Sequence, residues 1–318
     1  MKLTSRPYGG KSDLETIAHL LNICEAIDPP EEWPPLSEVR MQFESPPGSV
    51  DRERDLRLWE DMTTGQLCAC AGLMIPELGE ELGGFLWFRI HPEFRYSICQ
   101  EEIFPWAEAR MRQVAEERNV AVTLLCGTRN DLLDRIAAIE NNGFEIDCYC
   151  ITMERSLSEP LPNPEFPLGF TLSHGAQQNA TAWTELFNET FADHWNHHDK
   201  TVDFAQHERT QAHYKPQLDL VAIAPDGTFA ALCYGQIKPT RDSCITEGWI
   251  NMLGTRPAFR NKGLGKAILL AGIHQLKAEG IDKAMLYVDA DNLSGALRLY
   301  QSVGFEAYST QIAYSKGV

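Results

Sequence analysis

Seven consecutive residues, Arg260-Asn261-Lys262-Gly263-Leu264-Gly265-Lys266, carry the densest chemical signal in the chain. The two glycines let neighbouring backbone N–H groups converge on one point with no Cβ in the way. From Ala267 the apolar residues recur at helical spacing, so the loop ends on a helix N-terminus. Such a terminus offers free amides and the positive end of a dipole. Two lysines and an arginine add full charge. Upstream, residues 249–255 form an apolar, β-prone run that enters a turn at Arg256-Pro257. Strand, basic glycine loop and helix start together make a cradle for a phosphate or pyrophosphate. Two familiar cradles do not fit. The nucleotide-triphosphate loop needs a hydroxyl after its lysine, and Ala267 follows Lys266. The dinucleotide loop needs a third glycine where Ile268 stands.

The pattern that fits is [RQ]-x-x-G-x-[GA] after a strand. A second segment strengthens it. Ala284-Met285-Leu286-Tyr287-Val288 reads as a strand, followed by Asn292, a helix carrying Tyr300, and the closing pair Gly304-Phe305. In this order and spacing the two segments resemble the GNAT superfamily of N-acetyltransferases, and among them the tandem, two-domain members of the mycothiol synthase type. The resemblance is closest over residues 248–305 and looser elsewhere.

The resemblance implies acetyl-coenzyme A as co-substrate. The backbone from Arg260 through Asn261, Lys262, Gly263, Leu264 and Gly265 to Lys266 would hold its pyrophosphate. The backbone at Leu253, Gly254 and Thr255 would bond the pantetheine arm and thioester as an added strand does, where the family's strand splits from its neighbour. Asn292 belongs to the same cofactor set. Tyr300 would be the general acid, since a phenol of pKa about 10 can protonate a thiolate of comparable basicity. The alternative is a core aromatic, because Leu293, Leu297 and Tyr300 share one helical stripe.

Glu247, Trp249 and Asn251 alternate onto one strand face. Several family members use a glutamate on this strand as base. Counted from the loop glycine that position falls on Trp249, and Glu247 lies one same-face step earlier. Glu247 is therefore weighed as the base against a solvated strand-end carboxylate. Acceptor contacts are expected from Trp249, Asn251, Tyr287 and His194, the last within the segment 193–199. That segment holds His194, His197 and His198, yet none pairs with cysteines at ligand spacing, so no metal is expected. The pairs Cys68/Cys70 and Cys148/Cys150 read as small buried hydrophobes, each pair on one strand face.

The chain has 318 residues, 43% of them hydrophobic, enough for two domains with real cores. A net charge of −17 disfavours nucleic acid and anionic membrane as partners and suits a small cationic amine. No stretch reads as a signal peptide or a membrane span. Nine cysteines without a compact disulfide framework fit a reduced cytoplasm. A monomer or homodimer is expected.

Read in order, strands are predicted at 1–7, 56–60, 66–74, 84–91, 121–126 and 145–153, with helices at 12–26 (Ser12 as N-cap), 102–117 and 131–140. Residues 28–48 read as loop with a short helix. Residues 156–168 hold four prolines and read as a stiff linker. The same order then recurs, with strands at 170–173, 218–224, 229–237, 284–288 and 306–314, and helices at 177–191 and from 267. His91-Pro92-Glu93-Phe94-Arg95 overlays Arg256-Pro257-Ala258-Phe259-Arg260, and Asn142-Gly143-Phe144 overlays Val303-Gly304-Phe305. The fold class is accordingly α/β (α+β), with two tandem GNAT domains, each a mixed, mostly antiparallel sheet flanked by helices. The division is a degenerate copy at 1–155, the linker at 156–168 and a catalytic copy at 169–318. In the first copy Ile98 and Gln100 stand at the places of Gly263 and Gly265, and Ile139 at that of Tyr300. Acetyl transfer to a small amine leads. An acyl-coenzyme A sensing module and a protein N-acetyltransferase are the alternatives.

Overall fold

The computed structural model describes residues 3–27, 51–77, 81–94, 98–175, 179–192, 199–211, 213–239, 246–290 and 295–318. Along the chain run β1 (Leu3–Pro7), α1 (Lys11–Glu25), β2 (Leu56–Asp61), β3 (Leu67–Met74), β4 (Glu81–Ile90), α2 (Phe104–Arg118), β5 (Ala121–Arg129), α3 (Leu133–Glu140) and β6 (Glu145–Ser156). Then follow β7 (Thr171–His174), α4 (Ala180–Phe191), α5 (Val202–Glu208), β8 (Asp219–Ile223), β9 (Phe229–Pro239), β10 (Thr246–Thr255), α6 (Leu264–Ala278), β11 (Lys283–Asp289), α7 (Ala296–Ser302) and β12 (Glu306–Gly317). The expected loop at 28–48 lies outside the described residues.

Two compact units divide the chain, one made of residues 1–149 with 311–318, the other of residues 150–310. This differs from the expected split at the proline-rich segment. That segment packs on the second unit: Leu157 is buried and donates its N–H to the Asp282 carbonyl at 2.7 Å, and Leu161 and Phe166 rest on the same core.

Each unit has a mixed sheet with one parallel pair. In the first unit the strands lie in the order β1-β2-β3-β4-β5 and then the end of β12, with β4 and β5 parallel. In the second the order is the end of β6, then β11-β10-β9-β8-β7, with β10 and β11 parallel. The duplication read from the sequence is thus present in the topology.

Strands β8 and β9 are apolar on both faces because helices cover both. Leu220, Ala222 and Cys233 pack with α6, whereas Val221 and Leu232 pack with Trp183, Leu186 and Phe187 of α4. Helix α6 buries Leu264, Ala267, Ile268, Leu269, Leu270, Ala271 and Ile273, so it is apolar nearly all round, as a helix enclosed by a core must be.

Three local expectations are corrected. Ser12 lies inside α1, whose N-cap position is Gly10. Asp13, not a capping serine, takes the Gly9 N–H at 2.7 Å and a two-pronged bond from Arg6. Cys68 and Cys70 belong to separate core clusters, because the register shifts between Trp59 and Glu60 and makes Cys68 the extra, bulged residue. Helix α5 has no counterpart among the predicted elements. Its start is set by Thr201, whose hydroxyl accepts the Phe204 N–H at 3.1 Å.

Candidate functional site

The basic loop adopts the geometry its glycines permit. Residues Pro257–Phe259 form a single 3₁₀ turn, and Asn261 and Gly263 follow with φ of +62° and +80°. Gly263 is the N-cap of α6 and no side chain caps the helix. A Cβ there would meet no atom, so the glycine is required by its backbone angle, not by crowding. The first backbone bond of the helix runs from the Ala267 N–H to the Gly263 carbonyl at 3.1 Å. The amides of Leu264, Gly265 and Lys266 precede it and have no partner within the helix. Lys262 and Lys266 are exposed, with the Lys262 ammonium 5.1 Å from the centre of the Phe259 ring. Leu264 contributes only its amide, since its side chain is buried in the core.

Arg260 has a different duty from the lysines. Its Nε donates to the Thr255 carbonyl at 3.1 Å and its Nη2 to the Thr190 carbonyl at 3.2 Å. It therefore pins the loop to the ends of β10 and α4, and places the cradle at the mouth of β10.

Strand β10 is where the sheet opens. It pairs with β11 only at Gly248↔Ala284, Trp249↔Met285 and Ile250↔Leu286. On its other edge it continues with β9 as far as Thr255↔Ala231. Between Ile250 and Met252 the register shifts, leaving Asn251 as a bulged residue. From the bulge to Thr255 the β11-facing edge of β10 has no strand partner among the described residues, while β11 stays with β6 through Asp289↔Cys150. Leu253, Gly254 and Thr255 thus offer backbone donors and acceptors to an extended ligand. Gly254 sits against α4, where a Cβ would come 2.2 Å from Thr190 Cγ2, so only glycine lets β10 run this close.

Tyr300 lies on the α6 side of the sheet. Its side chain is 7% exposed and shares a core cluster with Leu253, Ile268 and Phe305. Its ring meets Phe305 edge-on at 6.1 Å. The position is fixed by the helix end: the Phe305 N–H reaches back to the Tyr300 carbonyl at 3.1 Å across Gly304, whose φ is +87°. Burial raises the phenol well above its ordinary value, with the neighbouring Cys233 sulfur adding to the effect. Cys233 is itself fully buried and its thiol is pushed up to about 12. Both groups are therefore neutral, protonated donors.

The other face of β9 and β10 carries a polar network that the sequence reading missed. Tyr234 Oη donates to Glu208 Oε1 at 2.8 Å, Gln236 Nε2 donates to the same oxygen at 3.3 Å, and His213 Nε2 lies 2.9 Å from it. Asn251 Nδ2 at the bulge donates to Gln236 Oε1 at 3.4 Å. Nearby, Asp219 accepts from Tyr214 Oη at 2.8 Å and from Trp183 Nε1 at 3.1 Å. Glu208, Arg209, Tyr214, Asp219, Tyr234 and Met252 line one concavity. The only sequence clue was Thr201, a helix cap three residues before Phe204; without α5, nothing placed Glu208 on this face.

The expected residues divide. Leu253, Gly254, Thr255 and the loop 260–266 come together around the opening of the sheet, with Tyr300 in the adjoining core. Trp249 and Tyr287 form a pair at 4.9 Å, with the Lys238 ammonium 5.2 Å from the Trp249 ring. Glu247 is paired in register with Lys238, three residues before the shift in β10. Asn292 and His194 lie outside the described residues. In the first unit Ile98, which the sequence overlay sets against Gly263, is buried in the core with Ile103 and Phe104. Ile139, at the place of Tyr300, is fully buried there too.

Residues 180–305 match the sequence model of the Acetyltransferase (GNAT) family. The C-terminal half of the chain carries a GNAT domain. Among curated relatives, a mycothiol acetyltransferase of Thermobispora bispora is 31% identical over 166 residues, which cover 52% of this chain and 56% of that one. One from Salinispora tropica is 32% identical over 167 residues, covering 52% and 54%. The chain thus spans about half the length of the curated relatives it matches. The whole chain shares its fold with tandem GNAT structures. A GCN5-related N-acetyltransferase from Sphaerobacter thermophilus superposes with a TM-score of 0.78 at 23% identity, over 99% of this chain and 95% of that one. A tandem GNAT protein from the clavulanic acid biosynthesis pathway gives 0.70 at 15% identity, over 99% and 98%. The open edge of β10 and the uncapped start of α6 are thus features of a GNAT domain within a tandem GNAT fold. Among the described residues no helix is long and apolar enough to cross a membrane.

Replacing both GNAT-loop lysines, Lys262→Ala with Lys266→Ala, is expected to weaken coenzyme A binding by about 10- to 100-fold, the loss of two charged contacts to phosphate. The deficit should shrink at about 0.5 M salt, where screening already weakens such contacts. Calorimetric titration checks it, and an unaltered affinity at low salt would remove the lysines from the cradle.

Proposed function

We propose that the GNAT domain moves an acetyl group from acetyl-coenzyme A to a primary amine of a small molecule, by direct attack of the amine on the thioester. The observation that carries this reading is the continuity of the open β10 edge with the uncapped α6 terminus. Together they form one track of backbone donors from Leu253 to Lys266. Acetyl-coenzyme A fits that track, since its pyrophosphate suits the amides and lysines and its extended arm suits a strand edge. When bound, it supplies an activated acetyl group on sulfur.

The chain's own residues do the rest. The β10 backbone aligns the thioester, and its amides offset negative charge growing on the carbonyl oxygen. Tyr300 holds a proton for the departing sulfur. The GNAT core excludes water from that exchange. The bulge at Asn251 turns the polar face of β9 and β10 toward the acceptor, and Trp249 and Tyr287 flank it.

In this reading the first unit is a degenerate copy, because Ile98 fills the place where amides would have to meet a phosphate. One equivalent of coenzyme A per chain is expected. On the same reading the acidic chain acts in the cytoplasm, alone or as a homodimer, without nucleic acid, membrane or metal.

The test is acetyl-coenzyme A consumption, read by free-thiol release, across aminosugars, polyamines, arylalkylamines and peptide N-termini, with coenzyme A binding measured in parallel. Turnover on small amines at one bound equivalent supports the proposal. Binding without turnover favours a sensing module, turnover on peptides alone favours protein acetylation, and two bound equivalents restore a second site.

A further inference from the structure

We propose, resting on the transferase reading, that Glu208 is the catalytic residue that receives the acceptor's amine proton, through its second oxygen, Oε2. Three donors converge on the first oxygen: Tyr234, Gln236 and His213, at 2.8, 3.3 and 2.9 Å. They come from β9 and from the turn after α5, so the carboxylate is held from two sides. Oε2 has no hydrogen-bond partner among the described residues, and it is not among the buried polar atoms that lack one. The carboxylate side chain is 25% exposed and lines the concavity that also contains Met252. Met252 is the first residue past the register shift, at the start of the open edge of β10. A second link runs through Gln236, which joins Glu208 to Asn251 at the bulge itself. One carboxylate oxygen is thus held by three donors, while the other has none among the described residues and belongs to a side chain lining the same concavity as Met252. Glu247 has none of this support: it faces Lys238 across the strand pair, before the bulge.

The surrounding charges fit an ionised carboxylate. Arg209 just after its own helix, Tyr214 on the following turn, Asp219 on β8 and Tyr234 on β9 line the same concavity, and His213 pairs with Glu208 itself. Burial would raise Glu208, but bonds from His213, Tyr234 and Gln236 more than offset it and hold the carboxyl below the usual range. Asp219 is shifted the other way by its burial. Glu208 is therefore ionised at neutral pH.

Glu208 Oε2 takes one proton from the acceptor ammonium, becoming a carboxylic acid and leaving a neutral amine with its lone pair. That lone pair forms the N–C bond as the C–S bond breaks and sulfur keeps its electrons. Tyr300 gives its proton to the sulfur and regains one from the new amide nitrogen. Glu208 then gives its Oε2 proton directly to water, its side chain being 25% exposed.

The test compares wild type with Glu208→Gln on the fastest amine of the panel, with kcat/KM followed across pH. Wild type is expected to hold a level rate from about pH 5 to 8, since the ionised carboxylate accepts the ammonium proton throughout. In Glu208→Gln the rate should fall by about 100-fold at neutral pH and climb tenfold per pH unit toward the pKa of the amine, because only pre-deprotonated acceptor reacts. Coenzyme A affinity and Tm should match wild type, which separates lost chemistry from lost folding. A level profile in Glu208→Gln within threefold of wild type overturns the assignment, as does a wild-type rate that already climbs with the amine's ionisation. The steep profile appearing in Glu247→Gln instead would transfer the role to Glu247. Failure of wild type to bind coenzyme A, or to turn over any amine, overturns the transferase reading and this assignment with it.

Discussion

Tyr300→Phe is expected to lower kcat for acetyl transfer by about 10²- to 10⁴-fold, the usual contribution of a positioned proton donor, while coenzyme A affinity stays within about threefold. The asymmetry follows from placement. The phenol ring fills the core beside Leu253 and Phe305, and phenylalanine keeps that packing. No hydrogen bond of the described structure depends on the hydroxyl holding the cradle, whose parts are the α6 amides and the Arg260 clamp. The pH dependence has a definite sign. Burial raises the phenol, so the acid form persists above the ordinary tyrosine range near 10. The alkaline limb of kcat in wild type should therefore begin above that value, and it should vanish in Tyr300→Phe. Wild-type kcat in the phenylalanine variant would return Tyr300 to the role of a core aromatic.

The largest effect on stability is expected in the first unit, from Asp55→Ala. Asp55 and Arg110 are 1% and 6% exposed at their side chains and meet at 2.6 Å. The other Asp55 oxygen accepts the Asp51 N–H at 2.8 Å, and the Asp55 carbonyl accepts the Leu73 N–H. Removing the carboxylate leaves a buried guanidinium with only Glu117, 3.7 Å away, as a distant counter-charge. Breaking one side of such a pair costs about 3–5 kcal/mol, which for a unit of this size is a fall in Tm of roughly 6–20 °C. Differential scanning calorimetry measures it, and a fall below about 2 °C would mean that water or a rearranged Glu117 takes over the arginine.

The sequence made the repeated fold and the geometry of the glycine loop readable for a local reason. Gly263, Gly265 and the following apolar helix lie within one continuous stretch, and backbone conformation at a glycine is a property of that residue. The same holds for Tyr300, Gly304 and Phe305, tied together by one helix end. What could not be read was whatever depends on pairing between distant strands. The phase change at Asn251 exists only because β9 and β10 shift register, and Cys68 leaves the face of Cys70 for the same reason on β3. Glu208 was hidden twice, first because α5 is short and then because its three partners lie at positions 213, 234 and 236. Prolines at 156–168 announce an irregular backbone without saying what it packs against, and the compact units divide at 149/150. Leu157, buried, and Phe166, half-buried, rest on the core of the second unit.

The allotment of β12 has a consequence for how the chain comes into being. Residues Gln311 to Gly317 pair with β5 and count with the first unit, although they follow the whole second unit in the chain. A ribosome that has released residues 1–149 has therefore released a unit whose β5 edge still waits for its neighbour, an exposed edge of the kind that invites mispairing. The sheet of the first unit is complete only when residues 311–317 are in place beside β5. Cutting the message between the two copies would yield a fragment with an open seam, which is a physical reason for the tandem to remain one chain.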